Sequence, residues 1–335
     1  MNKKCIGCGS IFQNVDSTKE GYVDNLHGDI TLCKRCFRIK NYGDYQLIDK
    51  DSKEYENLFN SIKNKSDLIL YLCDILTLDD DLNNINNYNG KVILVITKKD
   101  LLPKSVKDIK LLNYINKNYN INVLDIIFVS SVKNYNLDLL MNKINKYKNS
   151  NKVYLVGNTN AGKSTLINQI VKSYSNGLNV VTTSILPNTT LDTIDIKIND
   201  DLTLIDTPGI VNNDNYLTNL DAKLVKKITA NKEIKPRTYQ MKPNQSLLIE
   251  DFARIDYVSN INNSFTLYLS NNIKVKRIKL NTNNELRNLK KYSFDLDKNK
   301  DIVIKGLLFC KIVDKANVNV YVKENTKVYQ RDNLI

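Results

Sequence analysis

The residues GNTNAGKS, Gly157 to Ser164, match the pattern GxxxxGK[ST] in full. They follow an apolar run, VYLVG, and precede a helix-like one, TLINQIVKS. In that strand–loop–helix setting, backbone N–H groups and the positive end of a helix meet the negative charge of phosphates. Gly157 and Gly162 let the backbone wrap the anion, and Asn158, Asn160 and Thr165 complete the expected cradle. Lys163 is expected to reach the β- and γ-phosphates, and Ser164 to bind Mg2+.

Two further elements point to the base. Asp206-Thr-Pro-Gly209 follows the apolar run LTLI, where an acidic Mg2+ ligand and a γ-phosphate-sensing glycine are expected. Thr97-Lys98-Lys99-Asp100 ends the run VILVI and resembles the guanine-reading pattern NKxD. A carboxylate there accepts both the ring N–H and the exocyclic N–H2 of guanine. Adenine offers no such pair, so Asp100 favours GTP and GDP and disfavours an ATP-dependent enzyme. Ser130 and Ser131, after DIIFV, are expected to support the base from the other side. Thr97 stands where Asn is usual and spans less, which predicts weaker guanine affinity. The phosphate loop usually precedes the guanine motif; here TKKD comes first. The order predicts a circularly permuted domain, its former ends joined by the basic stretch 142–152. The segment after Asp206 then runs straight into the C-terminal region, so that GTP ordering this segment would reorient that region.

Cys5, Cys8, Cys33 and Cys36 form two CxxC pairs. In an intracellular chain two such pairs suit a tetrahedral Zn2+ site, with Lys34 and Arg35 helping to hold the second pair ionised. A redox dithiol would not need a second copy. Cys73 and Cys310 are expected to be buried and inert. His27, the single histidine, is expected at the surface.

The elements that must position these groups follow from the hydrophobic pattern. Strands are predicted at Asp67–Cys73, Val92–Thr97, Asp125–Ser130, Val153–Gly157, Thr193–Ile198 and Leu202–Asp206, alternating with helices. That reads as a doubly wound α/β domain with a mostly parallel sheet. A helix is predicted over Leu220–Ile228, followed by KEIKPRTYQ and β-rich runs. The expected division is a four-cysteine zinc module at 1–48, a permuted P-loop GTPase domain at 49–218 and a mostly-β domain at 219–335. The chain has 335 residues, 42% hydrophobic and 25% charged, with a net charge of +13. That excludes a wholly disordered chain. No apolar run approaches the roughly 18 residues of a membrane span, and none follows Lys3 and Lys4, so a soluble, cytoplasmic chain is expected. Over 236–335 there are 18 Lys+Arg against 10 Asp+Glu, which points to a polyanion. Period-two alternation in NIKVKRIKL puts Lys274 and Lys276 on one strand face, with Tyr and Phe in neighbouring strands to stack on bases. A solvated strand face is the plainer reading.

The chain resembles the YqeH family of circularly permuted, ribosome-assembly GTPases. The resemblance is carried by CIGCG with Gln13 and Gly21-Tyr22-Val23, CKRCFRIKNY, TKKDLLPKS, GNTNAGKSTLIN, LPNTTLD, DTPGI and KITANKEIKPRTYQ. It covers nearly the whole chain, with departures at Thr97, at Asn188 in the PGTT element and at Asn41 after the second CxxC. It implies a zinc module, a permuted GTPase domain, a C-terminal domain similar to an RNA-binding attenuation-protein fold, and a role in maturing the small ribosomal subunit. The expected partners are a small-subunit precursor and its rRNA, with no membrane, no DNA and a monomeric chain. By the same resemblance Thr190 completes the Mg2+ shell, with neighbouring Thr189 as the second candidate, and Asn160 matches an asparagine that helps hold K+ beside the phosphates in related GTPases. Plain loop shaping is the other reading of Asn160. Ile210 stands where many small GTPases carry a water-orienting Gln, which predicts slow intrinsic hydrolysis. Two functions stay open: a GTPase switch that times binding to a ribosomal precursor, and an RNA-binding scaffold with a vestigial nucleotide site.

Overall fold

A computed structural model describes residues 3, 5, 10–17, 21–26, 30–34, 52–175, 193–210, 213–218, 220–280 and 289–335. The chain divides into two compact units that interleave along the sequence. The first holds Met1–Asp74, Asn83–Thr97 and Ile121–Ile210; the second holds Ile75–Leu82, Lys98–Asn120 and Val211–Ile335. The described helices are α1 (Ser52–Lys63), α2 (Asp108–Asn118), α3 (Leu137–Tyr147), α4 (Lys163–Tyr174) and α5 (Ala222–Ile228). Among the described residues no helix is long and apolar enough to cross a membrane.

The first unit is built on six strands: β1 (Leu68–Asp74), β2 (Val92–Thr97), β3 (Asp125–Phe128), β4 (Lys152–Gly157), β5 (Ile194–Asn199) and β6 (Leu202–Asp206). Their spatial order is β3-β2-β1-β4-β6-β5. All neighbours are parallel except the edge pair β5 and β6. Every residue of β2 is buried, as a continuous VILVIT run covered on both faces requires. The expected strands at Val92–Thr97 and Leu202–Asp206 are seen at those bounds, while the others shift slightly. The strand expected over Asp125–Ser130 closes at Phe128, because Ser130 turns to bridge Tyr135. Cys73, expected to be buried, is half-buried near the end of β1, where burial falls off over the last two residues of the strand. Chain order and sheet order together show the permutation: β2, which leads to TKKD, comes before the phosphate-loop strand β4 but lies two places from it.

The second unit contains ten antiparallel strands among its described residues. One sheet has the order β16-β13-β14-β10-β7, from Val328–Asp332, Lys300–Ile304, Leu308–Ile312, Asn263–Leu269 and Arg237–Met241. The other has the order β11-β8-β9-β15-β12, from Val275–Lys279, Gln245–Ile249, Ala253–Tyr257, Ala316–Lys323 and Leu289–Leu296. One apolar cluster joins their inner faces, with Phe265, Leu267 and Ile302 from the first sheet and Leu247, Ile255 and Val320 from the second. Helix α5 starts two residues later than expected, because Asp221 caps it by accepting from the Leu224 N–H at 2.9 Å.

Contacts distant in sequence complete this unit. Lys305 is 1% exposed, and its ammonium lies 2.9 Å from Asp79, 2.9 Å from Asp81 and 3.1 Å from Asp214. Tyr216 donates its N–H to the Lys305 carbonyl at 2.8 Å, and Tyr329 donates its hydroxyl to the Leu78 carbonyl at 2.8 Å. The segment Ile75–Leu82 and the segment after the DTPG motif are thereby fastened to β13, β16 and their turns.

Candidate nucleotide site

The phosphate loop sits where β4 ends and α4 begins. Gly162 adopts φ +89°, a backbone state that suits glycine, and forms the N-terminal cap position of α4. Asn160 also has a positive φ, +64°, and is exposed at the tip of the loop. Asparagine tolerates that state, which gives Asn160 a loop-shaping reason in its own right. Lys163 is 9% exposed and donates to the Gly157 carbonyl at 2.9 Å. Its burial pushes the ammonium pKa down to about 8, against the opposing charge of Asp206. Ser164 is half-buried and Thr165 exposed on the first turn of α4, while Asn158 is half-buried in the loop.

Asp206 ends β6, the strand beside β4. Burial pushes its carboxyl up to about 6, with Lys163 drawing it back. Its Oδ1 is buried and, among the described residues, lacks a hydrogen-bond partner. An orphaned buried carboxylate oxygen is costly, and a hard divalent cation is the partner that would satisfy it. Asp206 and Ser164 are therefore the described residues that fit Mg2+; Thr190 lies outside the described residues, as do Thr189 and Asn188.

The DTPG segment is laced directly onto the loop. Ile210 donates its N–H to the Gly157 carbonyl at 3.1 Å, and Thr159 donates to the Ile210 carbonyl at 3.0 Å. A Cβ on Gly209 would stand 2.7 Å from the Thr159 side chain, so only glycine fits this approach. Thr207 donates its hydroxyl to the Leu155 carbonyl at 2.7 Å, which ties the motif to β4. Thr207 lies inside the motif, but only the fold brings the Leu155 carbonyl to its hydroxyl.

Thr97, 3% exposed, donates its hydroxyl to the Ala161 carbonyl at 2.6 Å. It is the tether between the end of β2 and the phosphate loop. Ser130 is 1% exposed, and its Oγ accepts from the Lys133 N–H at 3.1 Å; Ser131 beside it is half-buried. Asn136 donates to the Phe128 carbonyl at 2.9 Å and shapes the same loop.

The guanine motif continues beyond Thr97 into the second unit. Lys98 has φ +59°, and Lys99–Leu101 form one 3-10 turn that carries Asp100, half-buried. Among the described residues nothing bonds the Asp100 carboxylate. The turn is braced by Lys99, which donates to the Val106 carbonyl at 2.7 Å and lies 3.7 Å from Asp108.

In the N-terminal region Cys5 and Cys33 are 1% and 0% exposed and share a small core with Phe12 and Val23. The Cys33 N–H donates to Cys5 Sγ at 3.2 Å. Such a bond favours the thiolate, the form that binds zinc, so these two donors fit a Zn2+ site. Cys8, Cys36 and His27 lie outside the described residues, and so does Asn41.

Comparison with known proteins follows the same lines. A family model described as 50S ribosome-binding GTPase matches residues 152–270. YqeH of Bacillus subtilis is 33% identical over 361 residues, covering 99% of this chain and 99% of its own. The chloroplastic GTP-binding protein Brassinazole Insensitive Pale Green 2 of Arabidopsis thaliana is 26% identical over 276 residues, 72% of this chain and 42% of its own. GTPase Der of Mycoplasma mycoides is 28% identical over 237 residues, 61% of this chain and 50% of its own.

Proposed function

The chain belongs to the YqeH family of GTPases, and from that premise we propose that it is a GTP-hydrolysing switch that assists maturation of the small ribosomal subunit in the cytoplasm. The observation that carries the switch is the buried Lys163 beside Asp206, whose Oδ1 is orphaned. A charge pair held in this way favours a phosphate–Mg2+ ligand. In this reading Lys163 binds the β- and γ-phosphates, Ser164, Asp206 and Thr190 hold Mg2+, and Asp100 reads guanine. Gly209 sits within the contact between the DTPG segment and the loop, so a γ-phosphate there acts on both at once. Ile210 has no group to orient water, so intrinsic hydrolysis is slow. Potassium near Asn160 would supply the missing positive charge.

RNA contact by the C-terminal domain is supported by one row across its second sheet. Register places Lys276, Leu248, Arg254, Tyr321 and Lys291 opposite one another in turn. The Arg254 guanidinium lies 4.4 Å above the Tyr321 ring. Three cations and an aromatic in one row suit phosphates and a stacked base. The zinc module, held by Cys5, Cys8, Cys33 and Cys36, would act as a second docking element on rRNA or protein. A scaffold with a weak nucleotide site is the second reading, favoured by Thr97, whose hydroxyl is committed to Ala161 rather than to a base.

Sedimentation of the intact chain with small-subunit precursors, in GDP and in a non-hydrolysable GTP analogue, tests the proposal. Binding with the analogue and release with GDP is expected. Equal binding in both would favour the scaffold, and no binding in either would overturn the ribosomal role.

A further inference from the structure

The segment KEIKP, between α5 and β7, belongs to neither element, yet it is firmly held on both sides. Toward the C-terminal strands, Asn271 donates its amide to the Glu233 carbonyl at 2.9 Å and accepts from the Lys235 N–H at 3.0 Å. Arg237 extends the seam by donating to the Ser270 carbonyl at 3.0 Å. Toward the guanine motif, Ile234 is 1% exposed and donates its N–H to the Leu101 carbonyl at 2.9 Å. Glu233 Oε1 accepts from the Lys104 N–H at 3.1 Å. Leu101 closes the 3-10 turn that carries Asp100. A continuous path of hydrogen bonds therefore runs, inside one compact unit, from Asn271 through Glu233 and Ile234 to the guanine-reading turn.

We propose that Glu233 and Ile234 are positioning residues for guanine recognition, through which the C-terminal unit sets how selectively the base is bound. This rests on the guanine reading of Asp100. The geometry has a chemical consequence. A carboxylate that must meet two N–H groups at once needs its backbone fixed to a few tenths of an ångström. The turn's own bonds, Leu101 N–H to the Lys98 carbonyl at 3.0 Å and Lys99 to Val106, fix its shape. The bonds from Ile234 and Glu233 fix where that shape stands relative to the rest of its unit.

The test compares GDP with IDP, which lacks the exocyclic N–H2, so that the ratio of their affinities reads the Asp100 contact. Fluorescence titrations are made on the full chain for the parent, Glu233→Ala, Glu233→Gln and Asn271→Ala. Both positions are exposed, and equal thermal midpoints establish that each variant folds. Glu233→Ala, which removes one hydrogen bond, is expected to lower the GDP-to-IDP ratio about five-fold, and Asn271→Ala, which removes two, at least as much. Glu233→Gln keeps an acceptor oxygen and should keep the ratio. A selective parent with an unchanged ratio in both alanine variants would overturn the positioning role and leave the guanine reading standing. A parent that binds GDP no better than ADP would overturn the guanine reading, and this proposal with it.

Discussion

The phosphate loop at 157–164 is closed by bonds from its own unit, from Thr97 to Ala161 and between Ile210 and both Gly157 and Thr159. The guanine turn at 98–101 takes its outside support from Ile234 and Glu233, far later in the chain, and counts with the C-terminal strands. The loop is thus a property of a parallel sheet and its neighbouring strand ends. The turn is held by a segment of the unit that contains the C-terminal strands. The difference separates two quantities that a GTPase usually varies together: phosphate affinity should be indifferent to the C-terminal unit, and base selectivity should not be.

The contrast can be broken at several points. Replacing Lys305 by Met removes the cation shared by Asp79, Asp81 and Asp214 and leaves buried Asp79, among the described residues, with Lys327 alone at 3.1 Å. A loss of about 2–3 kcal/mol in denaturant-measured stability is expected, below the full cost of an unpaired buried charge because Lys327 stays beside Asp79. The pH dependence follows from Asp81: burial alone would raise its pKa, but the hydrogen bond and charge of Lys305 hold it below the ordinary value. A carboxylate with a depressed folded pKa stabilises the fold above its unfolded value and loses that contribution as pH falls. The gap between the parent and Lys305→Met should therefore shrink as pH drops below about 4.

Lys163→Ala acts on the phosphate side alone. It should weaken GDP and IDP alike by roughly a hundred-fold, and GTP at least as much, since charge-assisted bonds to phosphate are lost. A base-dependent loss would mean that the two sides are not separable. Asp100→Asn should weaken GDP by a few tens-fold and IDP much less, measured in the same titration. Thr97→Val keeps the shape and removes the tether to Ala161, at about five-fold in affinity. Its effect should be the same for GDP and IDP, whereas a base-reading Thr97 would make it unequal. The smallest effect is expected from the salt: turnover in potassium should exceed that in sodium by a few-fold at equal ionic strength. Equal rates would leave Asn160 as a loop-shaping residue.

Much of the first unit was legible in the sequence because its strands are buried on both faces. VILVIT and LTLID announce themselves as continuous apolar runs, and the observed strands coincide with them. The phosphate loop was equally legible, since its glycines and its flanking strand and helix are local features. The guanine turn's membership was not. Leu78, Asp79 and Asp81 follow β1 closely, yet their partners are Tyr329, Arg331, Lys327 and Lys305. Nothing in a local window of sequence marks an aspartate that will meet a lysine more than two hundred residues later. The role of Thr97 was hidden for a related reason. From the motif alone it is a shortened asparagine facing a base, and only the fold brings the Ala161 carbonyl to its hydroxyl. The row Lys276, Leu248, Arg254, Tyr321, Lys291 was half visible: alternation gave Lys276 its face, but strand register was needed to set Arg254 over Tyr321. Lys274, expected on the same strand, precedes it and donates its N–H to Glu250 at 2.6 Å.

The most direct test of guanine recognition is competition for fluorescent GDP on the intact chain by unlabelled GDP, GTP and ADP, repeated with Asp100→Asn. Displacement by both guanine nucleotides at micromolar concentration, none by ADP at a hundred-fold excess, and loss of that preference in the variant are expected. Equal displacement by GDP and ADP, or a preference that survives Asp100→Asn, would contradict it.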